Sequence, residues 1–337
     1  MILRLNGKFK FVFFSFFAAV ILAGAYGLNA PRALALTISP VKIELSGDPG
    51  KTVTDQLTLI NEQNAAITFY TTFAEFSAQG ESGTPQFSYV PGDLDTWISA
   101  PDKVTLAQGE HKPISFSIKI PSNADPGGHF GAIFFGTAPP QAQGSSQVSV
   151  GAKVGVLILL KVSGLVKQGA GVIGFSGING NSFFSNFPVN LAYRFQNSGG
   201  DRVNPTGLIT IKNTFGATVA KLQANPGQGN VLPASIRKFQ VVWTGSAGDP
   251  PVDTIIKSPS NFFAAAGAEW SNFAIGRYSA NLNLNYGSSS TNSNFAFYIF
   301  PWQMLLELIA ILIIGSLIFI RLIRRYNNWV IKRARVK

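Results

Sequence analysis

The chain has no cysteine in its 337 residues. That excludes a disulfide framework, a thiolate nucleophile, and any zinc or iron–sulfur site built on cysteine. Histidine is nearly as scarce. His111, beside Lys112 on a predicted turn, and His129, which opens a strand after two glycines, show no metal-ligand spacing such as His-Glu-x-x-His. No metal and no cofactor are therefore expected, and His129 is read as a strand-end histidine satisfied by backbone in preference to a ligand contact. The Gly-Gly and Gly-x-Gly stretches lack the strand-to-helix context of a phosphate-binding loop. Asp93 and Asp95 near Trp97 have the composition of a carboxylate pair on a sugar platform. The plainer reading prevails: Asp-x-Asp in a Pro-Gly loop is turn chemistry, Trp97 belongs to a core, and no enzyme is expected.

Charged residues make up only 13% of the chain, yet the net charge is +11 and the pI about 9.8. The excess sits at the two ends. Arg4, Lys8, Lys10 and Arg32 lie in the first 35 residues, and Arg321, Arg324, Arg325, Lys332, Arg333, Arg335 and Lys337 in the last 17 or so. Between residues 36 and 300 there are 16 basic residues against 15 acidic ones. A nearly neutral middle offers no basic groove, so nucleic acid is not an expected partner.

Long apolar runs occur twice. After Lys10, Phe11 to Ala25 is apolar but for Ser15, and Ala33-Leu-Ala35 supplies a small-x-small cleavage site, so residues 1–35 read as a signal peptide. An uncleaved amino-terminal anchor is the other reading of the same run. Residues 300–323 read as a transmembrane helix: 20 positions from Pro301 to Ile320 carry one charge, Glu307. At ~1.5 Å per residue they match a ~30 Å hydrocarbon core. Trp302 marks the outer interface, and Arg321, Arg324 and Arg325 open a basic tail, residues 324–337, that belongs in the cytoplasm. The expected location is a bacterial plasma membrane, single-pass, with the ectodomain outside. The absence of any Asn-x-Ser/Thr sequon agrees with a bacterial envelope. Glu307 lies near enough to the outer interface to snorkel and is read as a bystander.

The 265 residues between these ends are rich in Val, Ile, Phe and Thr, punctuated by Gly, Pro, Asn and Ser, and they predict strands. Strands are expected at Leu36–Leu45, Val53–Ile60, Ile67–Phe76, Gln86–Val90, around Trp97-Ile98, Val104–Leu106, Ile114–Ile120 and His129–Phe135. Ile114, Phe116, Ile118 and Ile120 alternate with Ser115, Ser117 and Lys119, the pattern of a strand with one solvated face. Pro139 to Ser146 reads as a hairpin loop, because Val148, Val150, Val154, Val156, Ile158 and Leu160 alternate beyond it. The fold class is all-β: two immunoglobulin-like sandwiches in tandem, residues 36–166 and 167–299, then a single C-terminal transmembrane helix.

Ile38-Ser-Pro-Val-Lys, Leu57-Thr-Leu-Ile-Asn61, Leu106-Ala-Gln-Gly-Glu110, Ile120 through Phe135 and Val154-Gly-Val resemble the first domain of the WxL-interacting proteins of bacterial cell surfaces. The resemblance implies a peptidoglycan-binding immunoglobulin-like domain, a second sandwich that binds a partner, a membrane anchor and a basic tail. More distantly, the strand order resembles periplasmic pilus chaperones. The implied function is a non-enzymatic surface protein that attaches to peptidoglycan or to another cell-surface protein. The alternative is a chaperone-like protein that donates a β-strand to an exported subunit or accepts one; an envelope enzyme stands behind both.

In the second domain, strands are expected at Val189–Gln196, Leu208–Lys212, Thr218–Gln223, Ile236–Trp243 and Arg277–Tyr286. Residues 244–273 have no strand period and read as an insert that departs from the family pattern. The candidate partner-binding element is the strand of Val148, Val150, Val154 and Val156. It is longer than one sandwich requires. It either enters both sandwiches as a shared strand or pairs with a partner strand by β-augmentation.

Overall fold

The computed structural model describes residues 36–139, 153–246 and 261–334. The expected leader, the Pro139–Ser146 loop beyond its first residue, Val148, Val150 and half of the 244–273 insert lie outside the described residues.

The strand expected over Leu36–Leu45 is two strands. β1 (Leu36–Ser39) pairs with β3 (Thr52–Asn61), while β2 (Lys42–Gly47) runs in the opposite sheet. Pro40 has no N–H to give to a ladder, so pairing ends at Ser39 and the chain crosses over. β4 (Ile67–Gln79), β5 (Thr84–Ser88), β6 (Ile98–Ser99), β7 (Lys103–Leu106), β8 (His111–Lys119), β9 (Gly127–Gly136) and β10 (Lys153–Val162) complete the first sandwich. One sheet has the order β1-β3-β8-β6; the other runs β2-β10-β9-β4-β5, with β7 also on β4. Ile114, Phe116 and Ile118 of β8 face Val156, Ile158, Leu160 and Val162 of β10 across a closed core, as their alternation predicts. The Trp97 stretch differs from expectation. Leu94–Trp97 is a single helical turn that drops Leu94 into the core and leaves Trp97 partly buried at its rim. Asp93 starts that turn, its carbonyl accepting the Thr96 N–H at 3.0 Å and the Thr96 hydroxyl at 2.7 Å.

The second sandwich comprises β11 (Ala170–Gly177), β12 (Phe183–Phe184), β13 (Val189–Asn197), β14 (Thr206–Lys212), β15 (Thr218–Gln223), β16 (Ser235–Trp243), β17 (Gly276–Tyr286) and β18 (Ser289–Ile299). Its sheets run β11-β13-β16 and β12-β18-β17-β14-β15. The core between them is aromatic: Tyr193 stacks on Phe239 at 4.9 Å, and Trp243, Tyr278 and Phe297 meet one another.

Within the insert, Phe262–Ser271 is a helix. Four alanines favour it, and the Asn261 side chain caps it by accepting the Ala264 N–H at 2.9 Å. It packs on the start of the terminal helix, Trp302–Ala334, whose 33 residues run past the expected end of the span. The sequence after Ile320 holds no Gly or Pro to stop it. That helix is long and apolar enough to cross a membrane, and its apolar window is unburied by the rest of the chain.

The chain is thus all-β, two immunoglobulin-like sandwiches in tandem, followed by one apolar helix.

Candidate functional site

β10 carries the candidate residues inside the described range. Val156 is fully buried and Val154 partly so, both turned into the first core. β10 pairs with β9 over its whole length, from Lys153 opposite Gly136 to Val162 opposite Gly127. With β2 it pairs only from Leu157 onward, in parallel. The Leu157 N–H reaches the Val41 carbonyl at 3.0 Å. By the two-residue period of a strand, the N–H and C=O of Gly155 aim the same way, past the start of β2. Among the described residues no strand covers that edge, a short stretch of ladder. Gly155 keeps its backbone bare because a Cβ there would stand 2.4 Å from the Phe134 ring. The Lys153 ammonium lies over the Phe134 and Tyr89 rings at 4.3 and 4.6 Å, a cation held at the edge by aromatic faces.

Beside this edge a cavity of about 480 Å³ opens between the two sandwiches. Val41, Phe76, Leu157 and Leu159 wall it on one side, Val231 and Arg237 on the other. Leu159 sits on the outer face of β10, turned from the first core, yet it is only 2% exposed. Arg237 donates to the Asn230 carbonyl at 2.8 Å and lies over the Phe239 ring at 5.2 Å.

The two walls are clamped together. Glu44 of β2 accepts from Lys42 at 2.8 Å within its own sandwich, and from Asn230 at 2.9 Å and Arg202 at 3.1 Å in the other. Burial pushes the Glu44 carboxyl up, but these three partners outweigh it and bring it down to about 2. Lys161 meets Asp201 at 3.1 Å, and the Gly128 N–H donates to the Gly200 carbonyl at 2.9 Å. A side chain at Gly127 would strike that same carbonyl. On the far side Glu81 takes a two-pronged pair from Arg194, and its carbonyl accepts the Lys238 N–H at 2.8 Å.

His129, weighed on its own in the sequence, comes together with Asp93 and Trp97. His129 Nδ1 lies 2.5 Å from Asp93 Oδ2, its Nε2 donates to the Asp125 carbonyl at 2.8 Å, and its ring stands 4.7 Å from Trp97. Burial lowers the imidazole pKa, but the Asp93 carboxylate and the Asp125 carbonyl together outweigh it, for a net rise. Glu75 of β4 holds the Asp93 N–H, while Asp95 accepts the Gly92 N–H at 3.1 Å. Burial raises the Glu75 carboxyl against the pull of that N–H, and the neighbouring Asp95 and Asp93 add to the rise. The set fastens the Gly92–Asp95 loop onto β4 and β9. Among the described residues no group of three or more His, Asp or Glu is arranged to hold a metal.

The remaining expected positions lie on the terminal helix. Trp302 is half-exposed and packs edge-to-face on Phe262 at 5.8 Å; Arg321, Arg324 and Arg325 are exposed. Glu307, read as a bystander, accepts the Trp270 indole N–H at 3.1 Å. The open edge of β10 and the Glu44 cluster carry no sequence motif: both arise from register and from side chains far apart in the chain.

No protein-family model matches the chain, and no curated protein matches it. The resemblance to WxL-interacting proteins is not supported by either comparison. Among solved structures, the chain is similar to the class 5 fimbriae chaperone CfaA, at 13% identity over 79% of this chain and 100% of that one, with a TM-score of 0.38. The E. coli chaperone DraB is similar at 11% identity over 79% and 97%, TM-score 0.32. A chain of the Salmonella enterica SafA pilin–SafB chaperone complex follows at 9% over 80% and 98%, TM-score 0.34. Likeness of this degree carries no argument about ligand or activity.

Proposed function

We propose that this chain is a non-enzymatic, membrane-anchored binding protein of the bacterial envelope that captures an extended segment of an exported protein by strand addition at the open edge of β10. The register carries this reading: β9 covers β10 from Lys153, β2 only from Leu157, and the backbone groups of Gly155 between them face a cleft. Backbone bonds to that edge supply affinity, and alternate side chains of the added strand find Val41 and Leu157 beside it. The interdomain clamp supports the reading because it holds both cleft walls before a partner arrives, which lowers the ordering cost of binding. Val154 and Val156 anchor the strand in the core; Val148 and Val150, which precede it in the sequence, are proposed to belong to the same partner-binding element.

In this reading residues 36–166 carry the capturing edge and residues 167–299 the opposing wall. The leader 1–35 directs export, the span 300–323 anchors the chain with its ectodomain outside, and the tail 324–337 stays in the cytoplasm. Strand addition thus takes precedence over attachment to peptidoglycan, for which no observation among the described residues speaks.

The test is a photo-crosslinking p-benzoylphenylalanine in place of Lys153, in the full-length chain in its own membrane. One adduct is expected, mapping to a single extended segment of an exported protein. It should vanish in a Val148→Lys, Val150→Lys double variant that still melts cooperatively. If the adduct survives in that variant, the edge is not the binding site and the reading fails.

A further inference from the structure

The segment from Asn261 to Gly276 reads Asn-Phe-Phe-Ala-Ala-Ala-Gly-Ala-Glu-Trp-Ser-Asn-Phe-Ala-Ile-Gly, with one charged residue, Glu269. That charge is turned inward: Glu269 is 1% exposed and accepts the Met304 N–H at 2.6 Å. Helix starts leave backbone donors unsatisfied, and here a carboxylate from a neighbouring helix meets one. Two further contacts join the helices side by side, the Phe262 ring on Trp302 and the Trp270 indole on Glu307. The Phe262–Ser271 helix is therefore fixed along the first turns of the terminal helix.

Its outward surface carries no charge and is dominated by large apolar side chains, with Asn261, Ser271 and Asn272 the exposed polar residues. Phe263 is 79% exposed and Trp270 51%, seven residues apart and so on one face of the helix; Phe273 at 58% and Ile275 continue the patch beyond its end. On the sandwich side, Phe300 is exposed at the end of the strand that leads into the terminal helix. Large exposed apolar patches call for a cover.

We infer that this surface is embedded in the outer headgroup layer of the bilayer, as an interfacial collar that holds the second sandwich at a fixed attitude to the membrane. The inference rests on the reading that the terminal helix spans the membrane. Two observations select lipid over a protein partner. Trp270 of the patch touches Glu307, whose chain neighbours Leu306 and Leu308 are exposed at the start of the terminal helix's apolar surface, so one medium covering both is the simplest cover. Depth agrees as well. Glu307 lies five residues into the helix, about 7.5 Å along its axis at ~1.5 Å per residue, and Trp270 touches it. That is the depth at which interfacial helices bury their apolar faces, ~5–10 Å into the headgroup boundary, and Trp is the residue most enriched there. The uncharged exposed face, the inward Glu269 and the Trp270–Glu307 bond all follow from such a site, where an unpaired carboxylate or indole N–H is costly.

The chain has no native cysteine, so single cysteines can be introduced at will. An environment-sensitive fluorophore is placed by Phe263→Cys, Phe273→Cys, Ile313→Cys in mid-helix, and Leu165→Cys, fully exposed between the sandwiches at the end of the second one that lies away from Gly276. Each full-length protein is reconstituted in phosphatidylcholine vesicles and quenched by aqueous iodide, by lipid spin-labelled near the headgroup, or by lipid labelled near the chain end. Probes at 263 and 273 should be blue-shifted, several-fold less quenched by iodide than the probe at 165, and quenched best by the shallow lipid label. The probe at 313 should respond best to the deep label. If 313 reads as deep while 263 and 273 read as water-exposed, the collar is refuted and the span stands. If 263 and 273 are shielded from iodide and from both lipids, protein covers the patch and the inference is equally refuted. A water-exposed probe at 313 removes the span and this inference with it.

Discussion

Asn61 and Asn197 are the same device in two sandwiches. Each ends a long strand, β3 or β13, and each is fully buried. Each Nδ2 donates to the carbonyl four residues on, Ala65 at 2.8 Å and Asp201 at 2.7 Å. Each also donates to a carbonyl of a distant loop, Leu106 and Ala107 in one case and Val231 in the other. Each Oδ1 accepts the N–H two residues on, from Gln63 or Gly199. The buried amide closes its own loop and pins it to a second one.

Replacing either amide by alanine leaves these carbonyls without their donor in the interior. At roughly 1–3 kcal/mol for a buried group left unpaired, Asn61→Ala or Asn197→Ala should destabilise its sandwich by about 3 kcal/mol. Chemical denaturation with a probe in each sandwich measures this. An Asn61→Ala protein with an unchanged midpoint would mean the loop is held by something else.

The Glu44 cluster predicts an acid-sensitive clamp. Its folded pKa is lowered from 4.5 to about 2, so its stabilisation is present above pH 4.5 and drains away as pH falls toward 2. Glu44→Gln should be less stable than the natural chain at pH 6, and the two should converge as the pH is taken down through that window. A gap that stayed constant with pH would show that charge contributes nothing to the clamp. Because the carboxylate is over a third exposed, salt should also narrow the gap at pH 6.

The His129–Asp93 pair has the opposite sign. The imidazole pKa is raised above its ordinary 6.5, so the pair stabilises fully below 6.5 and loses that contribution as pH climbs through the raised value. Asp93→Asn should cost most at pH 5.5 and little at pH 9. Titrating the His129 ring by NMR in both proteins checks the cause: the value should fall in Asp93→Asn.

Orientation is the fourth expectation. Arg321, Arg324 and Arg325 follow the apolar block with no acid near them, a pattern that predicts a cytoplasmic end. Protease added to intact cells should remove both sandwiches and spare an epitope fused after Lys337. Loss of the epitope with an intact ectodomain would reverse the topology.

Local pattern was enough for much of this protein. Period-two alternation located β8 but missed its first three residues, and turn signals between strand-forming stretches located β13 to β17 within a residue or two, because side chains in a strand take turns between core and solvent whatever the pairing. Charge at the ends and the apolar block at Leu308–Ile320 located the terminal helix, since length and composition alone meet the membrane's requirement. Other features depend on which parts of the chain meet. Pro40 divides one apparent strand between two sheets, a choice made by the partners β3 and β10 and not by Leu36–Leu45 itself. Asp93 and His129 are 36 residues apart, and Glu44 and Arg202 are 158 apart, so no local spacing announces either pair. The open edge at Gly155 exists because β2 begins where it does along β10, a register that only the packed sheet defines. The Phe262–Ser271 helix looked like an unpatterned insert because its organising contacts, Glu269 to Met304 and Trp270 to Glu307, reach across more than 30 residues to a helix that the sequence shows only as a span.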